Sequence, residues 1–152
     1  MRTIEVISSR QLPEAESNSP DGDEIVFYPV YRFSAKLFAK PVIGAEKERR
    51  FVVLVDAVDG LARLYNDLPA SPERDVEEKR VLPSEVEPDV AIASAEKALN
   101  SYSLAKYRGL SPTRIVLSGG ELVYKAFFIR REGKDATVID GLTGKETILS
   151  GR

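Results

Sequence analysis

Few residues in this chain have both the type and the spacing that chemistry needs. Asp56 and Asp59 stand three positions apart, just ahead of Gly60. Paired carboxylates serve acid–base catalysis or bind calcium. The same pair suits a turn, because Asp side chains accept hydrogen bonds from nearby backbone amides. The turn is the expectation here. Ser118-Gly-Gly-Glu121 has the glycines of a phosphate cradle. No Lys-Ser/Thr follows and no helix opens there, so it reads as a hairpin turn. Gly144-Lys145 is followed by Glu146 and fails the same test.

The chain contains no His and no Cys. That removes the usual general base near neutral pH, the His-dependent triads, thiolate nucleophiles, disulfides and nearly all transition-metal sites. An enzyme built from this sequence would have to work through carboxylates, Lys and Tyr. No catalytic, cofactor-binding or metal-ligating residue is nominated, and no cofactor is expected.

Charge is uneven along a chain whose net charge is only -2. From Arg32 to Arg50, six basic residues stand against two acidic ones, a local charge of +4. From Asp67 to Asp89, eight acidic residues stand against three basic ones, a local charge of -5. The basic stretch, with Tyr28, Tyr31 and Phe38 nearby, has the composition to contact an anionic partner or single-stranded nucleic acid. The plainer reading puts Arg and Lys on a solvated strand face and the rings in a core, and it is preferred. The small net charge predicts no global pull toward nucleic acid or anionic membrane. No apolar run approaches the roughly 20 residues of a membrane helix. The N-terminal apolar segment is short, interrupted by Glu5, and unlike a signal peptide, so the default expectation is cytoplasmic.

The elements that must position these residues are mostly strands. Thr3 to Ile7 alternates polar and apolar. Ser8 to Asp23 has the composition of a solvated loop. Ile25 to Phe38 alternates with its odd positions apolar, which predicts those positions inward. Pro29 lacks a backbone donor and belongs at an edge, bulge or bend. Phe51 to Val55 is apolar at both parities, as in a strand covered on both faces. Leu61 to Tyr65 follows as a short strand. The Pro-rich acidic stretch from Asn66 to Asp89 reads as a connector in which Glu73 to Arg80 could form two helical turns. Asp89 to Arg108 is the main helix, with Asp89 as N-cap and Gly109 beyond its end. Its apolar stripe is Ile92, Ala95, Leu99 and Tyr102, flanked by Ala91, Ala98 and Ala105. Ser111-Pro112 blocks continuation. Arg114 to Ser118 is a strand, Gly119-Gly120 a turn, and Leu122 to Arg131, Ala136 to Asp140 and Lys145 to Leu149 are further strands.

The two halves echo each other. Val30-Tyr-Arg-Phe33 matches Val123-Tyr-Lys-Ala126, and Leu54 to Gly60 matches Val138 to Gly144. The expectation is one domain over 1–152, built of related halves 1–65 and 86–149 and joined by a linker, 66–89. Tyr31 would then be equivalent to Tyr124, and Asp56 to Asp140. The fold class is α+β: a mostly antiparallel sheet of two β-hairpin units packed against one main helix.

Tyr124, Val138, Asp140, Thr143 and Gly144, following an Ala-rich helix, give roughly Val86 to Leu149 a resemblance to a PepSY domain. That resemblance implies a helix followed by antiparallel strands, and a non-catalytic inhibitory or binding role of the kind that accompanies secreted peptidases and cell-envelope proteins. The first half looks like a degenerate copy of the hairpin unit. The expected function is a non-enzymatic binding or regulatory module that engages a protein partner by a strand edge or by the basic hairpin. The alternatives are a small carboxylate, Lys or Tyr enzyme and a self-associating structural domain.

Overall fold

The computed structural model describes residues 1–8, 24–40, 43–107 and 114–150. The expected loop from Ser8 to Asp23 lies, beyond Ser8, outside the described residues. So do Arg108, Gly109, Ser111 and Pro112 at the expected helix end.

The chain runs β1 (Arg2–Ile7), β2 (Glu24–Ala39), β3 (Lys47–Asp56), β4 (Ala62–Tyr65), β5 (Glu73–Val76), a 3-10 turn (Glu78–Arg80), α1 (Pro88–Lys106), β6 (Arg114–Glu132), β7 (Asp135–Asp140) and β8 (Glu146–Leu149). Hydrogen bonding connects the strands in the order β4-β3-β2-β6-β1-β5, with β7 on β6 and β8 on β7. The class is α+β. The β1–β6 pairing is parallel, so the sheet is mixed, although β1–β5, β2–β3, β3–β4, β6–β7 and β7–β8 are antiparallel. No helix among the described residues is long and apolar enough to cross a membrane.

The chain forms two compact units that interleave in sequence. One comprises Met1–Pro29, Pro69–Pro83 and Val123–Arg152; the other comprises Val30–Leu68 and Ser84–Leu122. Each takes strands from both sequence halves.

In the second unit, β2 and β3 form a long hairpin, in register from Val30 opposite Asp56 to Ala39 opposite Lys47. Alternation along β2 sends Tyr31, Phe33, Ala35 and Leu37 inward, as expected, onto Phe51, Val53 and Val55 of β3. Helix α1 closes this layer with Ala91, Ala95 and Leu99, each fully buried. The buried row advances in fours, ending at Ser103. Ile92, expected in the stripe, is exposed. One position round the helix from Ala91, its side chain turns about 100° away from the sheet. The small Ala91 and Ala95 set the distance of approach, so the inward face is chosen by fit rather than by the bulkiest apolar residue. Tyr102 is half-buried and meets Phe51 edge-on at 4.9 Å. Arg49 Nη1 donates to Tyr102 Oη at 2.5 Å.

Three local expectations are corrected here. The helix begins at Pro88, with Glu87 rather than Asp89 in the cap position and no side-chain cap bond. Proline favours the first helical position because its fixed φ suits the helix and its missing N–H has no intrahelical partner there. Asp89 instead lies in the first turn. Gly119-Gly120 makes no hairpin: β6 runs through it without a break. Both glycines have positive φ, 86° and 107°. Such glycines serve a bulge within a strand as readily as a turn. A Cβ on Gly120 would stand 3.0 Å from the Phe33 ring, so close packing also requires glycine there.

The third correction lies in the first unit. The predicted helical turns at Glu73 to Arg80 are instead β5 followed by the 3-10 turn. β5 pairs with β1 from Arg2 opposite Val76 to Glu5 opposite Glu73, and Val76 is buried. A short polar segment has little propensity of its own, and an available strand edge decides its form. The core of this unit comprises Ile4, Val6, Ile7, Ile25, Phe27, Val76, Val123, Tyr124, Ala126, Phe128 and Ile139. Glu132 and Asp135 flank the tight turn from β6 to β7, and β7 pairs on to β8.

Candidate functional site

The Asp56 pair belongs to a turn. Val58 N–H and Asp59 N–H donate to Asp56 Oδ1 at 2.8 and 3.0 Å, and Gly60 N–H donates to the Asp56 carbonyl at 2.9 Å. Asp59 Oδ1 accepts from Leu61 N–H at 2.8 Å. The Asp140 turn makes the same bonds at the same positions. Leu142 N–H and Thr143 N–H donate to Asp140 Oδ1, Gly144 N–H to the Asp140 carbonyl, and Lys145 N–H to Thr143 Oγ1. Gly60 and Gly144 have φ of 80° and 78°. Thr143 thus does with a hydroxyl what Asp59 does with a carboxylate. The acceptor atoms that would serve catalysis or calcium are held by backbone amides.

The strand registers differ from the expected Tyr equivalence. Tyr31 pairs with Val55, one residue before Asp56, while Phe128 pairs with Ile139, one residue before Asp140. Counted from the turns, Tyr31 matches Phe128, and Tyr124 stands four residues away. Sequence similarity between β-rich segments slid along the strand because both carry alternating aromatic and aliphatic residues. The two tyrosines also have different tasks. Tyr31 Oη donates to the Val86 carbonyl at 2.6 Å, whereas Tyr124 Oη accepts from Arg2 Nη2 at 2.8 Å.

The Asp140 turn carries one further interaction. Lys125 Nζ donates to Asp140 Oδ2 at 2.6 Å, with the two side chains only 14% and 16% exposed. Oδ1 holds the turn and Oδ2 holds the lysine, so this carboxylate is fully engaged in structure. The residues of the PepSY resemblance, Tyr124, Val138, Asp140, Thr143 and Gly144, all fall in the first unit, and α1 falls in the second.

The arrangement with open chemical capacity is the face of the second unit's sheet that α1 leaves uncovered. Residues paired across antiparallel strands share a face. On the uncovered side, Ser34 lies opposite Val52, Lys36 opposite Arg50 and Phe38 opposite Glu48. Strand β4 adds Tyr65 opposite Val52 and Arg63 opposite Leu54. Strand β6 packs Ile115 and Leu117 into the core, so Arg114, Val116 and Ser118 alternate outward. Arg114 lies over the Phe38 ring, 4.3 Å from its centroid, and Ser118 Oγ donates to the Ser34 carbonyl at 3.4 Å.

These residues enclose a shallow cavity of about 340 Å³, lined by Ser34, Lys36, Arg50, Val52, Asn66, Val116 and Ser118 among others. Two cations, two hydroxyls and an amide surround an aliphatic floor. Around it the face carries Arg32, Arg63 and Arg114 as well, against the carboxylates of Glu48 and Glu121. Arg50 Nε meets Glu48 at 3.4 Å in an exposed pair. Such a pair is weak, about 0–1 kcal/mol. Leu54 is buried on this same side, so the open part of the face begins at Val52.

The basic hairpin read from the sequence therefore contributes to this face through Lys36 and Arg50. Arg49 points the other way, toward Tyr102. The rings named with the hairpin are otherwise committed. Tyr31 is buried, Phe38 lies under Arg114, and Tyr28 meets Phe127 edge-on at 5.4 Å in the first unit. Asn66, Arg63, Arg114 and Val116 carry no such signal in the sequence, and Ser118 reads there only as part of a glycine turn. Period-two alternation would have put Arg114, Val116 and Ser118 on one side of a strand. Nothing local says that this strand lies beside β2.

What the fold and the face define is an α+β module with a helix on one side of a sheet and a basic surface on the other. Comparison with family models, curated proteins and solved structures finds no match to this chain.

Proposed function

We propose that the chain is a non-enzymatic binding module that engages a protein partner through the uncovered basic face of the second unit. The observation that carries this reading is the pairing of Lys36 with Arg50 at the rim of an open cavity. Like charges placed directly opposite across a sheet are destabilising. A fold keeps them at little cost when an anion from a partner completes the site. The lining groups can hold and orient an anion, and the neighbouring Glu48 carboxylate is engaged by Arg50 Nε. The PepSY-like reading and the duplication of a hairpin unit belong to the same proposal. They are supported by the bond-for-bond match of the Asp56 and Asp140 turns.

The test is capture from native lysate by the immobilised chain and by a K36Q/R50Q variant, washed at low and at high salt. Charged contacts on an exposed face weaken as the screening length falls from about 10 Å at 0.1 M to about 3 Å at 1 M. The expected result is a discrete partner that the intact chain retains at low salt, that high salt releases and that the variant does not hold. Capture indifferent to both salt and substitution contradicts the proposal, as does turnover of a substrate by the intact chain in a broad hydrolase screen.

A further inference from the structure

We infer that the ligand of this face is an extended acidic peptide segment, with alternating acidic and aliphatic side chains, seated over the cavity between β6, β2 and β3. The inference rests on the proposed binding face and adds the chemistry of the occupant.

Charge gives the sign. Lys36 has no ion-pair partner among the described residues, and Arg50 has only the exposed contact with Glu48. A carboxylate placed between them relieves their repulsion and gains charge-assisted hydrogen bonds from both. The Arg50 fork also suits the planar geometry of a carboxylate.

Shape gives the spacing. Ser34 and Lys36 are alternate residues on one face of β2, so their side chains stand about 6.6–6.8 Å apart along the strand. An extended peptide laid over the sheet presents its own inward side chains at the same interval. One carboxylate at the Lys36–Arg50 pair then places the next inward side chain over Ser34, Val52, Val116 and Ser118. That floor is aliphatic with hydroxyl edges, and about 340 Å³ is at the small end of ligand sites. It takes a valine or similar side chain. Asn66 stands at the rim with an amide that can pair with peptide backbone.

The rings decide against nucleic acid. Binding to a single strand needs bare aromatic faces on which bases stack. On this face Phe38 is already covered by the Arg114 guanidinium and Tyr65 is half-buried. Peptide carboxylates need only the cations.

The experiment is fluorescence anisotropy with the full chain and three labelled probes: a peptide repeating Glu-Ser-Val-Ser, the same peptide with Lys in place of Glu, and oligothymidylate of matched length. The acidic peptide is expected to bind, the lysine peptide not to bind, and oligothymidylate to bind at least about tenfold more weakly than the acidic peptide. K36Q/R50Q is expected to lose at least tenfold in affinity for the acidic peptide with a melting temperature no lower than the parent's, since the substitutions also remove the cross-strand repulsion. V116D, which puts a carboxylate on the cavity floor, is expected to weaken it similarly and serves if the double variant fails to fold. Equal affinity in both variants, tighter binding of oligothymidylate, or concentration-dependent self-association that K36Q/R50Q abolishes overturns the peptide assignment. Failure of the peptide alongside substitution-sensitive capture from lysate removes the peptide and leaves the face. Capture that ignores K36Q/R50Q removes the face itself.

Discussion

Gly141→Ala is expected to lower the melting temperature by roughly 5–10 °C. The Gly141 backbone passes so close to β6 that a Cβ there would stand 2.5 Å from the Ala126 carbonyl oxygen, 3.0 Å from Ser8 Oγ and 3.1 Å from Phe128 Cε2. The carbonyl cannot withdraw freely, because it accepts from Gly141 N–H at 2.8 Å. Phe128 is fully buried and has no open space to enter. Forcing one methyl into such a site costs about 1–3 kcal/mol, and a chain of this length loses about 2–4 °C for each kcal/mol. The corresponding position of the other turn is Ala57, fully buried, where the sequence keeps the methyl that Gly141 must lack. Thermal denaturation followed by circular dichroism measures the difference. A shift below about 2 °C contradicts the packing at this turn.

Asp140→Ala is expected to cost about 3–5 kcal/mol, the range for breaking a buried ion pair from one side. The substitution removes the acceptor of Leu142 and Thr143 N–H and leaves Lys125 charged, largely buried and beside the Phe127 ring. Asp140→Asn keeps an oxygen for the turn and loses the ion pair. Lys125→Met leaves the Asp140 carboxylate without its cation, but Oδ1 still accepts from Leu142 and Thr143 N–H and the turn keeps its bonds. The expected order of destabilisation is therefore Asp140→Ala, then Asp140→Asn, then Lys125→Met, measured by urea unfolding. An Asp140→Ala protein within about 1 kcal/mol of the parent means that Lys125 finds another anion or water. In that case the carboxylate has no structural hold on the turn.

The sequence disclosed what depends on near neighbours. Alternation over Ile25 to Phe38 identified the buried row of β2, since a period of two needs only the strand itself. The two Asp-to-Gly turns were legible because their bonds close within a few residues. Features that depend on distant pairing were not legible. Glu73 to Val76 became a strand because β1 offered an edge. Gly119-Gly120 is ambiguous in sequence, since positive φ serves bulge and turn alike, and only the partner Phe33 shows which is made. The binding face was half visible. Lys36 and Arg50 came from the charge of one hairpin, whereas Val116, Ser118 and Arg114 arrive from a strand about eighty residues further along the chain.

The measurement that addresses the face most directly is backbone amide shift mapping of the full chain during titration with the Glu-Ser-Val-Ser peptide. Progressive shifts are expected at Ser34, Lys36, Arg50, Val52, Asn66, Val116 and Ser118 and their strand neighbours, and not elsewhere. β8, where Ile148 and Leu149 are exposed on a strand that among the described residues pairs only with β7, offers the competing surface in the first unit. Shifts centred on Glu146 to Leu149, with β2 and β3 unmoved, would contradict the account and transfer the binding role to that edge.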